Sequence, residues 1–187
     1  IIIIDDGLSG ETSEIIESFH DSRIYYNITE KNLGCADARM LGVQLSEGEF
    51  ITFLDDDDEW NHNYLSNQLQ VFNENPSLDI VICDYEVNNE NIEVYSYNMK
   101  SFSSNFKKMI HMIPGPFFQC CMFKRKILNN IEELLDSQAI PSEDWDFFMN
   151  LSMRNPSFGY SPKNDFKWNY SQSSQSANLL LEAKSLD

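Results

Sequence analysis

Four aspartates and a glutamate, Asp55 to Glu59, break directly out of the apolar run Phe50-Ile51-Thr52-Phe53-Leu54, and Trp60 closes the stretch. A short apolar run bounded by charge is the pattern of a strand buried on both faces that stops at the edge of a sheet. Five like charges crowded at that end repel one another, an arrangement that makes most sense where a cation relieves it. Carboxylate oxygens are hard ligands, so the expected ion is Mg or Mn, either of which keeps coordination positions for water or substrate phosphates. The alternative is an acidic turn that is merely solvated.

The flanking sequence extends the pattern. Ile1 to Ile4 is a β-branched run stopped by Asp5-Asp6-Gly7, and Arg23 to Ile28 alternates as a second strand. Between them Thr12 can cap a helix reaching Phe19. Asn32-Leu33-Gly34 turns into a helix from Cys35 to Leu45, where Ala36, Ala38 and Leu41 permit close packing. Ile1 to Asp58 therefore spells strand-helix-strand-helix-strand, which predicts a mostly parallel, right-handed α/β layer. Ligands in such sheets gather at the carboxyl ends of the strands, where both acid clusters fall.

Further along, Tyr64 to Phe72 reads as a helix, Asp79 to Tyr85 as a buried strand, and Asn88 to Asn98 as a polar hairpin or excursion. Pro114-Gly115-Pro116 breaks the chain before a strand from Phe117 to Phe123, which feeds a helix from Lys124 to Leu135. Pro141-Ser142-Glu143 starts a helix running to about Met153, with Ser142 as N-cap. After Pro162 the chain turns polar, so residues 1–170 read as a single domain and 171–187 as a polar tail.

The net charge of −17 sets up a field that repels nucleic acid and anionic lipid, so an anionic substrate needs a bridging cation. No apolar stretch approaches the roughly 18 residues of a membrane span, and the chain reads as cytoplasmic. Cys35, Cys83, Cys120 and Cys121 contain no CxxC pair and read as reduced, packed thiols rather than zinc ligands.

Taken in order, these segments resemble family 2 glycosyltransferases of the GT-A fold. Ile3-Ile4-Asp5-Asp6-Gly7 resembles the family's strand ending in Asp-Asp-Gly-Ser, and Asn32-Leu33-Gly34 with Ala38-Arg39 resembles its Asn-x-Gly turn and Ala-Arg pair. Gly48 to Trp60 resembles the Gly-Glu-Tyr-Ile strand that runs into the DxD motif, and Glu143-Asp144-Trp145-Asp146 resembles the acidic helix that supplies the catalytic base. The resemblance implies a Rossmann-like sheet flanked by helices, here lacking the family's first strand and helix before Ile1.

It also implies roles. Asp6, with Asp5 beside it, matches the acid that binds the nucleobase, while Asp5 can instead hold the turn. Gly34 and Arg39 line the nucleotide side, as do Asp55 and Asp56, and Asp57 and Asp58 are the implied metal ligands, although four consecutive aspartates leave that register open. A helix-surface salt bridge is the alternative for Arg39. Asp144 is the implied general base, and the helix-dipole role of first-turn acids is its alternative. Trp60 and Trp145 are either sugar-stacking platforms or packed core residues. The implied reaction is inverting transfer of a sugar from a nucleotide-sugar, UDP-linked, to a hydroxyl of a glycan or lipid-linked acceptor at the inner face of the membrane. An inactive nucleotide-sugar binding fragment of the same fold is the second reading. A phosphoacceptor receiver domain is a third, weakened by the absence of a placeable lysine. The family's C-terminal histidine has no counterpart in Lys167-Trp168-Asn169-Tyr170-Ser171.

Overall fold

A computed structural model describes residues 1–7, 11–89, 92–97, 117–139 and 143–170. β1 (Ile2–Asp5) and β2 (Tyr25–Ile28) pair in parallel across helix α1 (Glu11–Ser18), with Ile2 opposite Tyr25 and Asp5 opposite Ile28. Helix α2 (Cys35–Leu45) packs on β1, where Gly42 faces Ile4. β1 and β2 form a two-stranded sheet of their own.

Among the described residues the larger sheet has six strands. β3 (Phe50–Thr52), β7 (Cys121–Lys124), β5 (Ile80–Asn89), β8 (Phe158–Tyr170) and β4 (Glu59–Trp60) lie in that order, and β6 (Ile92–Tyr97) forms a hairpin with β5. Among the described strands of this sheet β5 and β8 run parallel, and β3 with β7, β7 with β5, β5 with β6, and β8 with β4 are antiparallel. The α/β class is as expected, but the sheet is mixed rather than mostly parallel. The reason is that β7 returns between β3 and β5 opposed to both, a long-range choice to which an apolar run is indifferent.

β8 was invisible in the sequence. Its buried positions alternate until Ser161, then Pro162, Lys163 and Asn164 are exposed, and Asp165 and Phe166 return to the interior. A register shift against Cys83 and Asp84 absorbs the extra residues, and such a bulge erases the period-two signal. Gly159 permits the close approach on the other side: a Cβ there would meet Leu78 Cδ1 at 2.5 Å.

The expected helix from Lys124 to Leu135 is instead two 3₁₀ turns, Arg125–Leu128 and Ile131–Glu133. Asn130 between them is left-handed at φ 54°, a conformation that asparagine tolerates and a continuous helix forbids. The expected strand from Phe117 opens as a 3₁₀ turn, Phe118–Cys120, and becomes a strand only at Cys121. Helix α3 (Tyr64–Glu74) and helix α4 (Glu143–Met153) match their expected positions. The break at Pro114 to Pro116, the Ser142 cap and the 171–187 tail lie outside the described residues.

The core is aromatic where it meets α4. Phe118 lies 4.4 Å from Phe147 and 5.7 Å from Phe148 between ring centroids, with Phe123 edge-on to Phe147 at 5.7 Å. Phe147, Phe148 and Leu151 are almost wholly buried. At about 2 kcal/mol or more for each such side chain, this burial fixes α4 against the sheet, and with it the direction in which Glu143 and Asp144 face.

Candidate active site

The first turn of α4, the end of β3 and the second turn of α2 meet at Arg39. Its guanidinium donates to both oxygens of Asp55, at 2.9 and 3.1 Å, and through its other terminal nitrogen to Glu143 Oε1 at 3.2 Å and Asp144 Oδ1 at 3.3 Å. The Arg39 side chain is 9% exposed, and its Cζ sits 4.7 Å above the Phe118 ring. This is a buried clamp and not the surface salt bridge that was its alternative. The rigid fork of an arginine can join two carboxylate-bearing elements at once, which a lysine cannot. Burial alone would lower the proton affinity of Arg39, but the charges of Asp144, Asp55 and Glu143 outweigh it and hold the cation firmly ionised.

Asp144 is held up to about 7. Burial is the main cause, opposed by Arg39 and reinforced by the charges of Glu143 and Asp55. Glu143 is 7% exposed, and its Oε2 is buried without a hydrogen-bond partner among the described residues. Gln119, itself 4% exposed, donates to Asp55 Oδ2, and its backbone carbonyl accepts the Trp60 indole N–H at 2.8 Å. Gln119 escaped the sequence reading, although a lone amide inside the apolar stretch Phe117 to Phe123 is a legible signal, because a buried amide needs partners. Trp60 stacks on Tyr64 at 4.2 Å and 7°, which assigns it to packing. Trp145, beside Asp144, is 40% exposed.

The remainder of the acidic tract turns toward the end of β8. Asp58 Oδ1 accepts the Asn169 backbone N–H at 3.0 Å, and the Asn169 side-chain amide donates to the Asp57 carbonyl at 2.9 Å. Burial, with the charges of Asp57, Asp55 and Asp56 adding to it, pushes Asp58 up to about 7 against the pull of the Asn169 N–H. Asp57 is raised as well, by partial desolvation and by Asp55 and Asp56. Asp56 is exposed. Among the described residues no ion pair reaches Asp56, Asp57 or Asp58, in contrast to Asp55.

Two carboxylates held above their ordinary range with no cation beside them suit a divalent ion. Among the described residues no three His, Cys, Asp or Glu side chains are arranged to hold a metal by themselves. Mg, however, is ordinarily bound by one or two carboxylates together with substrate phosphates, so Asp57 and Asp58 fit that chemistry.

The amino-terminal acids are already engaged within the chain. Asp5 accepts from Gly7 N–H at 2.9 Å and from the Tyr26 hydroxyl, which hold its carboxyl low, Tyr26 being the larger cause. Asp6 accepts from Thr29 Oγ1 at 2.7 Å and from the backbone N–H groups of Leu33 and Gly34 at 2.8 Å. Its burial is outweighed by these bonds, and its carboxyl lies below the ordinary range. Gly34, at φ 84° and ψ 163°, makes the turn a side chain would strain, and its carbonyl accepts the first α2 bond from Ala38. Among the described residues no hydrogen bond or ion pair joins Asp5 or Asp6 to Asp55 through Asp58 or to Asp144. The structure thus brings Arg39, Asp55, Glu143 and Asp144 together. Asp6 reaches that group only through the loop that starts α2.

The sequence pattern of glycosyl transferase family 2 matches residues 1–132, and the chain belongs to that family. An uncharacterized glycosyltransferase of Rickettsia bellii is 39% identical over 116 residues, which is 61% of this chain and 17% of that protein. The UDP-Glc:alpha-D-GlcNAc-diphosphoundecaprenol beta-1,3-glucosyltransferase WfgD of Escherichia coli is 34% identical over 91 residues, 49% of this chain and 36% of that one. Among solved structures, S. aureus TarS 1-349 in complex with UDP-GlcNAc superposes with a TM-score of 0.73 at 18% identity, covering 95% of this chain and 51% of that one. The mannosyltransferase PcManGT of Pyrobaculum calidifontis, in complex with GDP-Man and Mn2+, gives 0.67 at 14% identity, covering 99% and 52%. These superpositions establish the shared GT-A fold. The chain spans at most about half the length of these four proteins. No helix among the described residues is long and apolar enough to cross a membrane.

Proposed function

We propose that this domain transfers a sugar from a nucleotide-sugar, UDP-linked, to a hydroxyl of a glycan or lipid-linked acceptor, with inversion at the anomeric carbon. The observation that carries the reading is the Arg39 clamp, which joins the strand end bearing Asp55 to the helix start bearing Asp144. Family membership supports the reaction class. The UDP-GlcNAc bound by TarS supports the donor class, and the activity for which WfgD is named supports a diphosphoundecaprenol-linked acceptor.

In this reading Asp144 takes the proton of the acceptor hydroxyl as that oxygen attacks. A base that titrates near 7 is matched to this work at neutral pH. Arg39 restrains Asp144 and favours its ionised form, while Asp55 sets the direction of the guanidinium. Asp57 and Asp58 would hold Mg or Mn, a choice supported by the Mn2+ present with GDP-Man in the PcManGT complex, and Asp56 is exposed beside them. When bound, that ion neutralises charge on the nucleoside diphosphate as it departs. No nucleophilic side chain is required, and a single displacement inverts the centre. Asp5, Asp6 and Gly34 shape the nucleotide side by holding the loop before α2.

The test combines turnover with nucleotide binding. Asp144→Asn is expected to lower turnover by about 10²–10⁴-fold, the usual worth of a general base, while keeping the Mn-dependent thermal shift with UDP. Wild-type turnover in that variant removes Asp144 as the base. Asp57→Asn with Asp58→Asn is expected to abolish the Mn dependence, and an unchanged shift places the cation elsewhere.

A further inference from the structure

The acidic tract has little of its own to hold it. It leaves β3 after three residues and ends in β4, a strand of two residues paired with Lys167 and Phe166 of β8. Its four aspartates repel one another, and among the described residues Asp55 is the one of the four that meets a cation. Glu59 is held by Lys167 at 3.3 Å, and Asp57 and Asp58 are held by a residue 111 positions from Asp58. The backbone N–H of Asn169 donates to Asp58 Oδ1 at 3.0 Å. Its side-chain nitrogen donates to the Asp57 carbonyl at 2.9 Å and to Glu59 Oε1 at 3.1 Å, and its side-chain oxygen accepts from Asn88 Nδ2 of β5 at 2.9 Å. Three consecutive residues of the tract are thereby fixed to β8, and the Asn169 amide is itself aimed by β5.

We propose that Asn169 is a positioning residue for the acidic tract, setting Asp57 and Asp58 so that their remaining carboxylate oxygens can share a divalent cation. The proposal rests on the reading of Asp57 and Asp58 as the metal-holding pair. The amide is the fitting group because it donates toward oxygens that are negative or partly so and adds no charge. An aspartate at 169 would have the same size but no donor, and would add another charge to a tract already short of cations. The Asn169 side-chain oxygen is committed to Asn88, so the residue acts through Asp57 to Glu59 and not as a ligand.

The experiment compares wild type, Asn169→Ala and Asn169→Asp in Mn titrations of UDP binding, in turnover at saturating Mn, and in amide hydrogen exchange without metal. Partners that orient metal ligands cost about 10–100-fold in metal affinity when removed. Asn169→Ala is therefore expected to need about tenfold more Mn for half-maximal UDP binding, with turnover at saturating Mn within about twofold of wild type. Asn169→Asp loses the same side-chain donors, but its added negative charge attracts the cation, so its Mn requirement is expected to fall between those of Asn169→Ala and wild type. In both variants the amides of residues 57–60 exchange faster. Unchanged exchange across 57–60 in Asn169→Ala overturns the proposal whatever the metal does. Faster exchange with an unchanged Mn requirement overturns it also, by showing a merely structural contact. A wild-type protein whose UDP binding ignores Mn overturns the parent reading of Asp57 and Asp58, and the cation-setting role of Asn169 falls with it.

Discussion

Arg39 donates two hydrogen bonds to Asp55, at 2.9 and 3.1 Å, from a side chain only 9% exposed. The same guanidinium reaches Glu143 and Asp144, so one cation serves three carboxylates contributed by two distant parts of the chain. Removing it would leave buried negative charges with no counter-ion, which costs more than the pair itself is worth.

Arg39→Met should accordingly destabilise the fold by about 3 kcal/mol, the lower end of the range for breaking a buried ion pair because Asp55 is 38% exposed. Arg39→Lys should lose less stability but still lower turnover, since a point charge cannot reach β3 and α4 together. Urea unfolding and steady-state kinetics check the two halves. A methionine variant as stable as wild type would contradict the clamp.

The engagement of Asp6 within the chain leads to a different expectation from the nucleobase contact that the family resemblance implies. Its carboxylate organises Thr29, Leu33 and Gly34, and hydrogen bonds to a charged acceptor contribute about 1.5–3 kcal/mol each before partial exposure is discounted. Asp6→Ala should lower stability by about 2 kcal/mol and disorder the start of α2. If Asp6 acts mainly on the base, the same change would weaken UDP binding while leaving the melting temperature nearly untouched. Thermal melts with and without UDP separate these outcomes.

The pH dependence has opposite signs for stability and for activity. Asp144 and Asp58 are raised to about 7 from an ordinary 3.8, so between those values the folded chain binds more protons than the unfolded one. Their contribution to stability is complete below about 4 and is lost as pH rises through 7. Asp5 and Asp6 are lowered, and their contribution disappears only on the acid side of the ordinary value. Metal-free stability should therefore decline from pH 5 to pH 8, and Asp144→Asn should flatten the decline. The rate constant kcat/KM should instead rise through about pH 7, because the base works only when deprotonated. A flat profile between pH 5 and 8 would exclude Asp144 from the proton transfer.

Much of this molecule was legible in one dimension. β1, α2, β3, α3 and α4 follow from apolar runs, helix-permitting composition and breakers, which act over a few neighbouring residues. The acidic tract stood out because charge beside a buried run is locally anomalous, whereas Asp144 stood out only through the resemblance of its helix to that of the family. What sequence could not decide were relations between segments far apart along the chain. The direction of β7, the bulged strand β8, the left-handed Asn130 that splits an expected helix, and the separate β1–β2 sheet all depend on which partner each segment meets. The same holds for the candidate site. Residue type alone left Arg39 between surface pair and functional group, and offered no reason to single out Gln119 or Asn169. Only the packed sheet and helices bring Arg39 against Asp55 and Asp144, and Asn169 against Asp57 and Asp58, because short-range forces between side chains act on distance in space and not on separation along the chain.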